Sequence, residues 1–324
     1  MIWVCKQLFR MTNEKVKILV VGCGAVGSIL ATKLSKVACV TGYDIDSCVS
    51  SAVQRDGIKI YSNKKCFLSY NIPVFSKLTS IKNEHFDLVL IATKAYDTLA
   101  AVRAISTSVA FNQVLTIQNG LGNLEILSAY IKPSSIFCGV TTLAAQKIKP
   151  GITKLFYDGV FHLAPFHKNC NPMGDIKRLF LAAGFETHVT TNWEGMIWSK
   201  LIFNAVMNPL PVLVTEGYGM ISRSPGIASF VHRAIREAKT VARKLGVRLV
   251  FDPEDIIVKI EKGGLRHLRH KGSMFDDISM GKKSEIDLLT GAVLKKAKAT
   301  GVDTPILATL YALVKAIEVR PRDL

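Results

Sequence analysis

The chain has 324 residues, 49% hydrophobic and 21% charged, which excludes a disordered chain and suits two domains of ordinary size. Lys and Arg number 42 against 25 Asp and Glu, and a split at residue 190 gives 21 basic against 11 acidic, then 21 against 14. The +17 balance is therefore spread along the chain, with no basic tail and no nucleic-acid footprint; it reads as surface background or as a field that gathers small anions.

The seven cysteines (Cys5, Cys23, Cys39, Cys48, Cys66, Cys138, Cys170) are scattered and form no CxxC pair. With no signal peptide in view, this reads as a reducing cytoplasm, without a disulfide framework or a metal site. No apolar run approaches the roughly 18 residues that span a bilayer, so a soluble protein is expected. The opening MIWVCKQLFR is too short for a signal segment, and residues 1–14 read as an extension, with Met1 or Met11 as the natural start.

In chain order, Val16–Val21 is a β-branched run suited to a buried parallel strand. A helix over Ala25–Ser35, a strand over Ala38–Tyr43 and strands at Phe86–Ala92 and Gln113–Ile117 follow. Ile136–Leu143 and Ile152–Leu163 read as extended, Asp175–Ala183 as helix and Phe185–Val189 as strand. Beyond 191 the patterns are helical: Trp193–Asn208, Ile227–Leu245, Pro253–Glu261, Lys282–Thr300 and Pro305–Glu318. The expected architecture is α/β over 1–190, a Rossmann-type dinucleotide-binding domain, followed by an all-α domain over 191–324.

Gly22-Cys23-Gly24-Ala25-Val26-Gly27 is G-x-G-x-x-G between a strand and a helix. Its glycines allow a tight turn, close approach of a pyrophosphate and close helix–strand packing, and the phosphates meet the helix N-terminus. Asp44 ends the second strand, 17 residues after Gly27. A carboxylate there accepts from ribose hydroxyls and repels a 2′-phosphate, which favours NAD; Asp44-Ile45-Asp46 offers no cation for NADP. The alternative is that Asp44 caps the next helix.

Loops after later strands bring Lys94 and Asn119 toward the same crevice, as a positive charge and an amide, or leave them as ordinary loop residues. Lys200, Asn204 and Asn208 step by four along one stripe of a greasy helix, drifting about 40° per step. Polar groups there need partners or a ligand, and a desolvated Lys suits a proton donor near neutral pH. Ser273 is a candidate for binding a carboxylate, and Glu285 a catalytic candidate for accepting from a hydroxyl or positioning Lys200, or else they are a helix cap and a first-turn carboxylate.

Together GCGAVG, TKAYDT around Lys94, QNGLGN around Asn119, GVTTLAAQ around Ala145, WSKLIFNAVMNPL, SMFDDISMGKKSEIDLLTG and GVDTP resemble the ketopantoate reductase family over nearly the whole chain. The resemblance implies a Rossmann domain plus a helical domain, with the active site in the cleft between them. It implies NAD(P)H-dependent reduction of 2-dehydropantoate to (R)-pantoate, for pantothenate and coenzyme A synthesis. Lys200 matches the catalytic lysine, Asn204, Asn208 and Ser273 substrate-binding residues, and Glu285 an acid contacting cofactor ribose and substrate hydroxyl. Lys94, Asn119 and Ala145 match positions lining the cofactor, and a homodimer is a family-level expectation. Two departures stand out: Asp44 replaces the basic residue that binds the 2′-phosphate of NADPH, and Tyr218 replaces a substrate-contacting asparagine. They keep open an NADH-dependent dehydrogenase of other branched 2-oxo acids. A non-catalytic nucleotide sensor is the reading from another class.

Overall fold

The computed structural model describes residues 15–62, 67–170, 173–263 and 271–319. The proposed N-terminal extension and the choice between Met1 and Met11 lie outside them. Two compact units divide the chain, one running up to Gln118 and resuming over Gly122–Trp193, the other comprising Asn119–Leu121 and the residues from Glu194 onward.

The first unit runs β1 (Lys17–Val21), α1 (Ala25–Leu34), β2 (Cys39–Tyr43), α2 (Ser47–Asp56), β3 (Ile58–Ser62), β4 (Phe67–Tyr70), β5 (Val74–Phe75) and β6 (His85–Ile91). It continues α3 (Thr98–Ser108), β7 (Ala110–Thr116), α4 (Asn123–Ser128), β8 (Ile136–Thr141), β9 (Ala144–Lys149), β10 (Ile152–Tyr157), β11 (Val160–Pro165), α5 (Gly174–Ala182) and β12 (Glu186–Val189). An eight-stranded sheet has the order β12-β11-β8-β7-β6-β1-β2-β5. Its central strands are parallel, and the join of β11 to β8 is antiparallel.

Burial on both faces explains the unbroken apolar runs of β1 and β6. A second sheet, β4-β3-β10-β9, has no counterpart in the sequence reading. The stretch read as extended over 152–163 is two strands, β10 in the small sheet and β11 in the large one. Helix α1 touches strands of both sheets, and Ile29, Leu30, Ala31 and Leu34 are buried in the common core. A helix covered on several sides has little use for a polar face, which is why its sequence is apolar nearly all round.

The second unit holds α6 (Trp193–Met207), α7 (Pro209–Val214), α8 (Met220–Arg223), α9 (Pro225–Lys244), α10 (Pro253–Glu261), α11 (Ser273–Ser279), α12 (Thr290–Thr300) and α13 (Pro305–Glu318). Its core gathers Trp198, Leu201, Ile202, Ala205 and Val206 of α6 with Val231, Ala234, Ile235, Ala238, Val241 and Ala242 of α9. The α9 residues recur at helical spacing, and the small alanines suit close helix contact. Thr290 Oγ1 donates to Ala205 O (2.7 Å), tying α12 to α6. Ser199 Oγ accepts from Val250 N and Phe251 N at 3.1 and 3.2 Å, tying down the loop before α10.

Two expectations change here. The helical stretch Trp193–Val214, whose most apolar 18-residue window has mean hydropathy 1.3, is long and apolar enough to cross a bilayer, although the run-length reading found no such segment. It is mostly buried and forms the core of its own unit. The helix expected from Lys282 begins only at Thr290, and Ser284 and Asp287 bond to α13 instead. Ser284 N donates to Glu318 Oε1 (2.9 Å), and Tyr311 Oη donates to Asp287 Oδ1 (2.7 Å).

Candidate functional site

In the glycine loop of the first unit, Gly22 has φ +91° and donates its N–H to Tyr43 O at 2.8 Å. A side chain on Gly27 would place its Cβ 1.8 Å from Gly22 O, so this position holds the turn against the helix. Gly24 differs: a Cβ there would meet nothing within 4 Å. Gly24, Ala25 and Val26 are partly exposed at the start of α1, whose first turn has no side-chain cap and no acidic residue. The open face, free N-terminal donors and positive dipole end fit a pyrophosphate.

Asp44 spans the end of β2 and this loop. Its Oδ2 accepts from Cys23 N at 2.8 Å and its Oδ1 from Asp46 N at 3.0 Å. Each carboxylate oxygen retains a second lone pair for a ribose hydroxyl. The cap of α2 is Asp46, which accepts from Cys48 N, so the capping alternative for Asp44 gives way. The Cys23 thiol is pushed far up, first by burial and then by Asp44, and stays protonated. A cation absent from the local sequence also stands here: Lys147 Nζ lies 3.8 Å from Asp46 Oδ2.

The loops after β6 and β7 are locked by a residue that motif reading left without a role. Gln118, buried, shares the two hydrogens of Nε2 among Thr93 O (3.3 Å), Thr93 Oγ1 (3.0 Å), Lys94 O (3.1 Å) and Thr98 Oγ1 (3.0 Å), and its Oε1 accepts from Thr116 Oγ1 (2.9 Å). Thr98 Oγ1 in turn donates to Asn123 Oδ1 at 2.8 Å. Lys94 is partly exposed at the edge of this network, and Ala145 sits on β9, partly buried against the first core. A buried glutamine following an apolar strand was the available signal, since such a group must be satisfied internally.

The second unit carries the other candidates. Lys200 and Asn204 share α6, and Asn208 continues the same turn, its N–H donating to Asn204 O at 3.1 Å. Asn204 and Asn208 are 4% and 7% exposed. Asn204 Nδ2 donates to Asn119 Oδ1 at 3.0 Å, joining two residues far apart in sequence. Tyr218 Oη donates to Asn208 Oδ1 at 3.3 Å; burial, then Asp276, holds this phenol well above its ordinary pKa, so it remains a donor.

Lys200 Nζ stands 5.0 Å from the centre of the Phe203 ring, and burial lowers its pKa from 10.5 to about 8. Glu285 is 6% exposed and lies in the turn before α12, not in a helical first turn. Ser273 is the first helical residue of α11 and exposed; the cap position belongs to Gly272, so its capping alternative also falls. A partly desolvated ammonium on the same helical stripe as two buried amides is suited to orienting a small polar anion and giving it a proton.

Comparison with known proteins gives concordant results. A family model described as Ketopantoate reductase PanE/ApbA matches residues 18–168, and one described as Ketopantoate reductase PanE/ApbA C terminal matches residues 192–318. The 2-dehydropantoate 2-reductase of Pyrococcus horikoshii is 29% identical over 310 residues, covering 93% of this chain and 97% of that protein. Its namesake from Bacillus subtilis is 26% identical over 302 residues, covering 93% and 97%. A PanE/ApbA family ketopantoate reductase from Ralstonia eutropha superposes with a TM-score of 0.81 at 26% identity, over 94% of this chain and 98% of that one. D-mandelate dehydrogenase, solved with NADH and anilino(oxo)acetate, gives a TM-score of 0.84 at 24% identity over 94% and 98%, a likeness of fold.

Proposed function

This chain belongs to the ketopantoate reductase family, and from that premise we propose that it reduces 2-dehydropantoate to (R)-pantoate with Lys200 as proton donor. The observation that carries the reading is Lys200 itself, with a pKa of about 8 on the same stripe as two buried asparagines. When bound, the reduced nicotinamide supplies the hydride.

As the carbonyl π bond breaks, negative charge develops on oxygen, and the Lys200 ammonium meets it electrostatically and then gives up its proton. The amine left behind regains a proton from solvent. Asn204 and Asn208 hold the 2-oxo acid, with Asn119 and Tyr218 fixing the orientation of their amides. Ser273 receives the substrate carboxylate. Glu285 takes the substrate's hydroxyl, a fitting partner for a carboxylate buried in this way.

The glycine loop, residues 22–27, binds the dinucleotide pyrophosphate, with Lys94 and Ala145 lining the cofactor beside it. Asp44 accepts from the adenosine ribose and makes NADH the better fit. The names of the relatives favour 2-dehydropantoate over other branched 2-oxo acids. The two differ by a hydroxymethyl group, and a site built to hydrogen-bond a hydroxyl rejects an analogue lacking it strongly. Steady-state kcat/KM for 2-dehydropantoate should exceed that for 2-oxoisovalerate by at least about a hundredfold. Equal values would remove the substrate assignment, and no hydride transfer to any 2-oxo acid would remove the enzyme reading.

A further inference from the structure

The end of β2 carries two carboxylates, and the fold brings one cation to them from far along the chain. Lys147 Nζ lies 3.8 Å from Asp46 Oδ2, and the pair is partly exposed, so it is weak and a ligand can compete for the lysine. Lys147 comes from β9, paired antiparallel with β10: Lys147 stands opposite Thr153 and Ala145 opposite Leu155, in a short run bounded by a register shift at each end. Two residues apart on one strand, Ala145 and Lys147 point to the same face. Strand β9 packs against α1, the helix that the glycine loop opens. The Lys147 charge also reaches Cys23 within that loop, where it opposes the effect of Asp44 on the thiol. Between the two aspartates, Ile45 is 83% exposed, an apolar surface beside the same edge.

We propose that Lys147 sets cofactor choice: it is the cation that meets the 2′-phosphate of NADPH, and it rests on Asp46 when the 2′ position bears a hydroxyl. The inference depends on the glycine loop being the dinucleotide site. Asp44 alone would repel a 2′-phosphate, and two carboxylates more so. A lysine that can leave Asp46 for a doubly charged phosphate offsets that repulsion and forms a charge-assisted hydrogen bond. The chain then binds both dinucleotides, with NADH ahead.

The test measures Kd for NADH and NADPH by nicotinamide fluorescence on the enzyme without 2-oxo acid, so that binding is read apart from turnover. Lys147→Ala and Lys147→Gln should each weaken NADPH about tenfold, equivalent to about 1.4 kcal/mol, and leave NADH within about twofold. Asp46→Asn preserves a capping side chain while removing the competing charge, and should tighten NADPH. High salt should bring the wild-type NADPH/NADH ratio toward that of Lys147→Ala. Equal losses for both dinucleotides in both Lys147 variants, or an unchanged NADPH Kd, would overturn the role of Lys147. Binding of neither dinucleotide to the wild type would instead overturn the reading of the loop, and this inference with it.

Discussion

Lys200→Met separates what the site costs the fold from what it contributes to catalysis. Burial lowers the Lys200 pKa from 10.5 to about 8. At about 1.4 kcal/mol per pH unit, carrying the proton at neutral pH costs the folded state about 3.5 kcal/mol. The Phe203 ring, 5.0 Å from Nζ, returns about 0.5–1 kcal/mol of that, so the net penalty is about 2.5–3 kcal/mol. Methionine keeps a long unbranched side chain and removes the charge. The variant should therefore be about 2.5–3 kcal/mol more stable at pH 7, with kcat lower by at least about a hundredfold for want of a proton donor.

The pH dependence distinguishes this from better packing. Between pH 8 and 10.5 the unfolded chain still holds the Lys200 proton and the folded chain has lost it. Stability from this residue thus rises with pH across the window, and Lys200→Met lacks that rise. Urea unfolding of both proteins at pH 7, 9 and 10.5 gives the difference, and common titrations of other residues cancel in it. Wild-type kcat/KM should be level below pH 8 and fall about tenfold per unit above it. A variant less stable than wild type at pH 7, or a stability difference that does not shrink toward pH 10.5, would refute the desolvation reasoning.

The glycine loop and its support make three further predictions. Gly27→Ala should disrupt the loop, lowering Tm and abolishing dinucleotide binding, because its Cβ would lie 1.8 Å from Gly22 O. Gly24→Ala faces open space, so Tm should stay within about 2 °C while the NADH Kd rises at least about tenfold; an unchanged Kd would show that the cofactor does not approach this backbone. Gln118→Leu strips Thr93 O, Lys94 O and Thr98 Oγ1 of a donor in a buried setting. It should cost about 2–4 kcal/mol by denaturant unfolding and speed amide exchange over residues 93–98, with no loss of stability counting against the network.

What could be read in the sequence was what local geometry encodes. Gly22 and Gly27 are required by a turn closed within a few residues, so β1, the loop and α1 emerged with nearly their observed limits. The Lys200, Asn204 and Asn208 stripe was legible because polar groups at a spacing of four are conspicuous on an apolar helix. Where long-range bonds decide, the sequence pattern misleads. Residues 282–289 have helical periodicity, yet Ser284 and Asp287 are claimed by Glu318 and Tyr311 of α13, and the helix waits until Thr290.

Asp44 shows the same division within one site. Its position at the end of β2 is what suggests a carboxylate for the ribose in the proposed reading, and the neighbouring residues offered no cation. The cation comes instead from β9, whose location follows from antiparallel pairing with β10 and packing on α1. Strand partnership of this kind depends on burying α1 between two sheets, one of which left no short signature in the sequence. If Lys200 and Lys147 act as proposed, the proton donor is written in the stripe of one helix, whereas discrimination at the far end of the cofactor is written in a strand pairing.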